Sequence, residues 1–305
     1  MNDKRPSGRL AVTGAGGFIG RHLIRRAAAE RWDVAAVLRS EAAAQRVRAS
    51  GGRAVPVPGL ERGVLARAFA GAAAVVHLAQ IGAERRGDDY ESVNVQGTHA
   101  VIGAARDAGV GRIVYFSGLG VARYGMNPRC TNAYFLSKLT AESALFRSGL
   151  PVTVFRPSYV VGAGSGLIVD LLRQMAAGEV ERVGDGAYRM QPVAVADAAD
   201  AILAAARGVA ARHAVFDLVG PEPVSYQHFL DRLARCVSPG RGFRVREVPV
   251  LEAERQAAAG GYRGMLSDEL DCLLCDEVGD ARPLAGMLGR PLTPLDATLA
   301  AAGSG

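Results

Sequence analysis

A short apolar run, Arg9 to Thr13, breaks into Gly14-Ala15-Gly16-Gly17-Phe18-Ile19-Gly20, and the stretch from Gly17 to Glu30 then carries helical periodicity. A chain that passes from strand to helix through such a turn has few folds open to it. Gly14 permits the tight turn, Gly17 lets the backbone come close to a bound group, and Gly20 lets the helix pack tightly on a sheet. The free N–H groups and the positive end of the helix point into the turn, which suits a pyrophosphate and predicts a dinucleotide site.

The residues that follow repeat the strand–helix alternation. Strands are expected at Asp33 to Leu38, Arg53 to Val57, Ala73 to Leu78, Gly111 to Phe116 and Val152 to Phe155. Between them fall helical segments at Glu41 to Ser50, Arg62 to Ala70, Tyr90 to Ala108 and Asn132 to Arg147. Near-continuous apolar strands alternating with helices predict an α/β fold, a Rossmann-type doubly wound parallel sheet. After Arg156-Pro157 the elements shorten and glycine and proline become denser. Helices are expected at Leu167 to Ala177, Val195 to Arg207 and Tyr226 to Val237, with strands at Val215 to Val219 and Phe243 to Val248. The reading divides the chain into a nucleotide-binding domain, 1–160, and a smaller C-terminal substrate lobe, 161–305, closing over the carboxyl ends of the strands. The last residues, Ala300 to Gly305, are expected to fray.

The composition narrows the partners. With 49% hydrophobic and 22% charged residues, the chain reads as an ordinary globular protein. No apolar run is long enough to cross a bilayer, and the polar start, Met1 to Pro6, has no signal-peptide core, so a cytoplasmic protein is expected. The net charge of +6 comes from scattered arginines, such as Arg5, Arg25, Arg26, Arg46, Arg85 and Arg86, with no nucleic-acid motif beside them. They are read as solvated helix faces, with peripheral contact to an anionic membrane surface as the lesser reading. The four cysteines, Cys130, Cys236, Cys272 and Cys275, fit a reduced chain, and the last two read as packed thiols rather than half a metal site. His22, His77, His99, His213 and His228 show no ligand spacing, and no metal is expected.

Two further groups carry chemistry. At the end of the second strand, where an acidic residue would favour NAD, stands Arg39-Ser40. A guanidinium pairs bidentately with a 2′-phosphate and the serine hydroxyl adds a bond, so NADP(H) is favoured over NAD. Tyr134 and Lys138, four apart on a helical segment, share one face. A neighbouring ammonium is expected to lower the phenol's pKa and make Tyr134 an acid–base group. Ser117, closing the strand Ile113 to Phe116, is placed to polarise a substrate oxygen.

In this order, TGAGGFIG, AAAVVHLAQ, NVQGTHAVIGAARDAGV, RIVYFSGLGV, YFLSK, FRPSYVVGAG and LGRPLTPLD resemble the extended and atypical short-chain dehydrogenase/reductase superfamily, the NAD-dependent epimerase/dehydratase group, over almost the whole chain. The C-terminal half looks most like the branch that includes the nucleotide-binding accessory subunit of respiratory complex I. The resemblance implies that Tyr134 and Lys138 are the catalytic tyrosine and lysine. It further implies that Gly14, Gly17, Phe18, Ile19 and Arg39 line the cofactor, that Ala79 and Pro157 meet it through backbone, and that Lys138 holds the nicotinamide ribose. Asn94 would be structural or help order the active site, and Asp197 would be structural. Relatives carry two or three successive Ser/Thr where this chain has Ser117-Gly118-Leu119-Gly120. They also carry an aspartate where it reads Gly59-Leu60-Glu61, so Glu61 stands in near the adenine or the contact is missing. The expected function is an NAD(P)-dependent oxidoreductase acting on a carbonyl or alcohol of a small-molecule substrate, with homo-oligomerisation open. The alternatives are a non-catalytic NADP(H)-binding structural or assembly protein and a nucleotide-sugar epimerase or dehydratase.

Overall fold

The computed structural model describes residues 8–50, 52–57, 59–85, 87–237 and 242–303. Met1 to Pro6, Arg86, and Ser304 and Gly305 of the expected frayed end lie outside them. The glycine turn joins β1 (Arg9–Thr13) to α1 (Phe18–Ala29), and the alternation continues through β2 (Asp33–Leu38), α2 (Glu41–Ala49), β3 (Arg53–Pro56), α3 (Arg62–Phe69) and β4 (Ala74–His77). The expected long helix from Tyr90 opens with a wide π-helical segment, Glu91–Gln96, before α4 (Gly97–Asp107). Then come β5 (Ile113–Phe116), α5 (Ala133–Phe146) and β6 (Val152–Pro157).

Past residue 157 the chain does not leave the sheet for good. Short strands β7 (Val160–Val161), β8 (Glu179–Val183), β9 (Arg189–Met190) and β10 (Val193–Ala194) surround α6 (Gly166–Ala176). α7 (Val195–Ala206) and β11 (His213–Leu218) then return to the first half. β11 pairs in parallel with β6, His213 beside Val152 and Leu218 beside Pro157. The seven-stranded sheet has the order β11-β6-β5-β4-β1-β2-β3, and all its pairings are parallel. The sequence cut at residue 160 therefore divides the chain while the sheet takes a strand and covering helices from beyond it.

After β11 follow β12 (Val224–Ser225), α8 (Tyr226–Val237), β13 (Arg244–Val248), α9 (Val250–Ala258), α10 (Ser267–Leu274), α11 (Arg282–Leu288) and α12 (Leu295–Gly303). β13 pairs with β8. The expectation of fraying fails for Ala300 to Gly303, because α12 lays Leu295, Leu299 and Ala302 into a core shared with α6 and α8.

Each face of the sheet has its own apolar layer. On one, Leu10, Val12, Val76, Val114 and Phe116 pack against Leu23 and Ile24 of α1 and Ala198, Ala201 and Ile202 of α7. On the other, Ala11, Val75, Ile113 and Tyr115 meet Leu65 and Phe69 of α3, Val101 of α4 and Ala141 and Leu145 of α5. Successive strand residues point to opposite faces, and both faces are covered, so the strands read as unbroken apolar runs. His77 sits in this interior, bonded to Thr13 Oγ1 at 2.8 Å and Thr98 Oγ1 at 3.1 Å. Burial, aided by the Lys138 charge, pulls its pKa down to about 3, so it is a neutral core histidine. No helix among the described residues is long and apolar enough to cross a membrane.

Candidate active site

The sheet order reverses between β1 and β4, and ligands of open α/β sheets bind at the carboxyl ends of strands at such a switch. There Gly14 adopts φ +69°, and a β-carbon on it would lie 2.6 Å from the Ala79 nitrogen, so a side chain is excluded on both counts. A β-carbon at Gly20 would lie 2.5 Å from the Ala15 carbonyl oxygen, which is the close helix packing expected from the spacing. Gly17 N–H closes the turn onto Gly14 O at 3.0 Å.

The turn forms one wall of a cleft of about 330 Å³, with Leu78, Ala79 and Gln80 opposite and Arg39, Ser40 and Arg46 at its rim. Gln80 Oε1 is buried with no hydrogen-bond partner among the described residues. An unpartnered oxygen, a glycine cradle and an α-helix N-terminus together fit a dinucleotide. Arg39 faces Asp88 at a loose 3.6 Å, both side chains well exposed. Ser40 caps α2, its Oγ accepting from Ala43 N–H at 3.3 Å, so its own proton is left to donate elsewhere. Arg46 was read from sequence as one of the scattered surface arginines. Its three-residue spacing from Ala43, another lining residue, was the available sign that it shares the cleft-facing side of α2.

Four expected contacts fall elsewhere. Phe18 and Ile19 open α1 but do not line this cleft: the Phe18 ring lies 5.1 Å from His22, and Ile19 packs on the core. Glu61 is exposed at the start of α3, and Leu60 lines the cleft instead. Pro157, closing β6, lines the neighbouring cavity.

At the end of β5, one strand over, stand Ser117 and the start of α5. Asn132 caps α5, its Oδ1 accepting Phe135 N–H at 3.0 Å, and sets Tyr134 in the first turn with Lys138 a turn below. Lys138 is fully buried; Nζ donates to the Phe116 carbonyl at 2.5 Å and sits 4.5 Å over the Tyr115 ring. Burial holds its ammonium well below the usual lysine range, with Glu142 pulling the other way. Glu142 in turn binds Arg156, Nη2 to Oε2 at 2.6 Å. Asn94 ties the parts together: Oδ1 accepts Ile81 N–H at 2.9 Å while Nδ2 donates to Ile81 O at 3.1 Å and to Ser137 Oγ at 3.0 Å.

Ser117 is buried, and its Oγ has no partner among the described residues. A β-carbon on the adjacent Gly118 would sit 3.6 Å from the Tyr134 hydroxyl, so the phenol stands over the turn that carries Ser117. Burial pushes the Tyr134 phenol upward, and Cys272 and Glu277 add to it. The sequence expectation was a phenol lowered by Lys138; here desolvation is the largest influence, and the lysine's hydrogen bond goes to the strand.

Ser117, Gly118 and Tyr134 form the inner end of a cavity of about 660 Å³. Its walls are aromatic and aliphatic: Tyr159, Leu167, Leu171, Tyr188, Tyr226, Tyr262, Met265 and Leu273. Its charges are mostly acidic and mostly spoken for. Arg263 pairs with Asp170 at 3.0 Å and Glu181 at 3.5 Å, while Glu269 binds Arg85. Glu277, which also lines the cavity, is a residue that no motif in the sequence announces. The four cysteines are free, and no cluster of metal-binding side chains occurs among the described residues. Cys275 packs with Cys130, Val121 and Phe135, as core thiols do.

Residues 10–237 match the model of the NAD dependent epimerase/dehydratase family. Among curated proteins, the chain is 30% identical over 269 residues to the 4-hydroxy-2-methyl-3-oxo-4-farnesyl-3,4-dihydroquinoline-1-oxide ketoreductase of Stigmatella aurantiaca, covering 82% of this chain and 78% of that one. It is 29% identical over 261 residues to the 2-alkyl-3-oxoalkanoate reductase of Stenotrophomonas maltophilia (strain K279a), covering 76% and 77%. Among solved structures, UDP-glucuronic acid 4-epimerase from Bacillus cereus, in complex with UDP-glucuronic acid and NAD, superposes with a TM-score of 0.78 at 17% identity, covering 97% of this chain and 98% of that one. These matches establish the family as a whole, not the narrower branch of the complex I accessory subunit.

Proposed function

The chain belongs to the NAD dependent epimerase/dehydratase family, and within it we propose an NADP(H)-dependent oxidoreductase that interconverts a ketone and an alcohol on a largely apolar small molecule. The observation that carries this reading is the 660 Å³ cavity, in which an unpartnered Ser117 hydroxyl and the Tyr134 phenol meet walls of tyrosine, leucine and methionine. A nucleotide sugar brings a diphosphate, which needs cations. The cavity's arginine is already held by two carboxylates, and two more carboxylates line the same space. The relatives named as a ketoreductase and an oxoalkanoate reductase support the same choice.

The nicotinamide, when bound, supplies or takes up the hydride. The protein's part is to hold the substrate oxygen and move its proton. Ser117 and Tyr134 offer two hydroxyl donors to one carbonyl oxygen, polarising it toward reduction. Because burial keeps the phenol protonated, Tyr134 is ready to deliver its proton to the oxygen as the alcohol forms. Lys138, bonded to Phe116 O, fixes the end of β5 and with it the register of Ser117 against Tyr134.

Cofactor preference rests on the other cleft. Arg39 and Arg46 bring two guanidinium groups and Ser40 a free hydroxyl proton to the rim where a 2′-phosphate would lie, and the Arg39–Asp88 pair is loose enough to exchange. Four free cysteines suit a reducing compartment, and we place the protein in the cytoplasm on that ground. The test is a panel of apolar ketones and nucleotide sugars offered to the purified protein with NADPH, read by loss of NADPH absorbance. Turnover of ketones alone is expected. Conversion of a UDP-sugar with no net change in cofactor would overturn the reading.

A further inference from the structure

The loop after α10 brings Glu277 into the cavity, beyond residue 237 where the family's matched region stops. Its backbone is pinned from two sides. Glu277 N–H donates to Arg189 O at 2.8 Å, and Arg189 grips the preceding Asp276 at 3.0 Å. From the other side the Arg123 guanidinium donates to the carbonyls of Asp276 and Val278, the latter at 2.8 Å. Arg123 closes the 3-10 turn Leu119–Arg123 that begins two residues after Ser117. The position of Glu277 is thus tied directly to the turn that presents the reacting end of the cavity.

The Glu277 carboxyl differs from the others in this cavity. Asp170, Glu181 and Glu269 are each held by an arginine, whereas Glu277 makes no ion pair among the described residues. The neighbouring Ser158 hydroxyl, whose oxygen accepts Gln191 N–H at 3.2 Å, has its own proton left to offer the carboxyl. That leaves the carboxyl's remaining capacity for whatever fills the cavity. The ionisable groups around it are Arg123, Tyr134, Tyr159, Cys130, Cys272 and Cys275. One cation that spends its bonds on backbone carbonyls does not offset the loss of water. Burial outweighs both Arg123 and Ser158 and pushes the carboxyl up to about 8, so at neutral pH it carries a proton to donate.

Ser117 and Tyr134 already supply two donors, enough for the two lone pairs of the reacting carbonyl oxygen. A third donor in the same cavity has a different oxygen to serve. We propose that Glu277 donates a hydrogen bond to a second oxygen of the substrate, and that the substrate is a ketone carrying a second carbonyl group, as an ester, amide or further ketone. This rests on the oxidoreductase reading of the same cavity. It makes Glu277 a specificity determinant that orients the substrate and takes no part in the proton transfer.

The experiment compares a neutral alkyl 3-oxoester with a monoketone of equal chain length, using NADPH and wild type, Glu277→Gln and Glu277→Leu. Wild type is expected to prefer the oxoester in kcat/KM by about tenfold, the worth of one well-placed hydrogen bond. Glu277→Leu should erase that preference, mainly through a higher KM for the oxoester. Glu277→Gln keeps an N–H donor and should retain most of the preference. The wild-type preference should fall as the pH rises past about 8, where the donor proton is lost, and that of Glu277→Gln should not. If Glu277→Leu fails to fold, the pH profiles of wild type and Glu277→Gln decide the matter. Equal use of both ketones by wild type, an unchanged ratio in Glu277→Leu, or loss of preference in Glu277→Gln overturns the inference alone. A folded, NADPH-binding wild type that turns over neither ketone overturns the oxidoreductase reading and the inference with it.

Discussion

The two clefts at the carboxyl edge of the sheet are built on different principles. The cofactor cleft is assembled around the ends of β1, β2 and β4, with the turn at Gly14, Gly16 and Gly17 as one wall. Its shape follows from where a β-carbon cannot go. The substrate cavity is mainly side chain, drawn from segments as far apart as Gly82 and Glu277, and its character follows from which charges are already paired. Local steric constraint makes a site that is hard to alter and easy to recognise. Assembly from distant segments makes one whose specificity shifts with single substitutions.

That contrast can be broken by experiment, most sharply at Tyr134. Replacing it with Phe should lower kcat by about a thousandfold, the usual scale for losing a positioned acid–base group, with NADPH affinity unchanged in a fluorescence titration. Surviving turnover would mean that the cavity's chemistry lies elsewhere. Gly14→Val should weaken NADPH binding by about a hundredfold, because its β-carbon would lie 2.6 Å from Ala79 N in a left-handed conformation. An unaffected affinity would show that the cofactor cleft is not governed by sterics. Arg39→Glu should weaken NADPH by about tenfold or more and NADH far less, since only the former brings a 2′-phosphate; equal losses would remove Arg39 from its assigned contact. Ser40→Ala removes the α2 cap and should cost about 1 kcal/mol, a fall of a few degrees or less in Tm, with a smaller loss of NADPH affinity.

The same contrast explains what could be read from the sequence. The strands of the first half and α1 to α5 stand within a residue or two of expectation, apart from the π-helical opening before α4. Their signals, apolar runs, caps and a glycine turn, act over a few residues. That Tyr134 and Ser117 stand near one another at the sheet edge was legible because one helix turn and one strand end carry them. The return of α7 and β11 to the sheet was not, since nothing local distinguishes a seventh strand from a strand of the outer lobe. The Tyr134 environment was misjudged for the same reason. The four-residue spacing promised a lysine beside the phenol, but the spacing could not reveal that Lys138 bonds to Phe116 O while burial dominates at the ring. Glu277 left no trace, because a carboxyl's burial is decided by Arg123, Arg189 and Ser158, none of them near it in sequence.

The late return of α7 bears on how a ribosome can deliver this protein. The layer over Leu10, Val12, Val76 and Phe116 is completed by Ala198, Ala201 and Ile202, which are synthesised more than eighty residues after Phe116. Until those residues emerge, a nascent chain with β1 to β6 already translated presents one greasy side to its surroundings, together with an unpaired edge at β6. A truncation near residue 160 should therefore be a chaperone client prone to clump, not a free-standing nucleotide binder. The chain's own synthesis schedule thus sets the earliest moment at which the nucleotide fold can close.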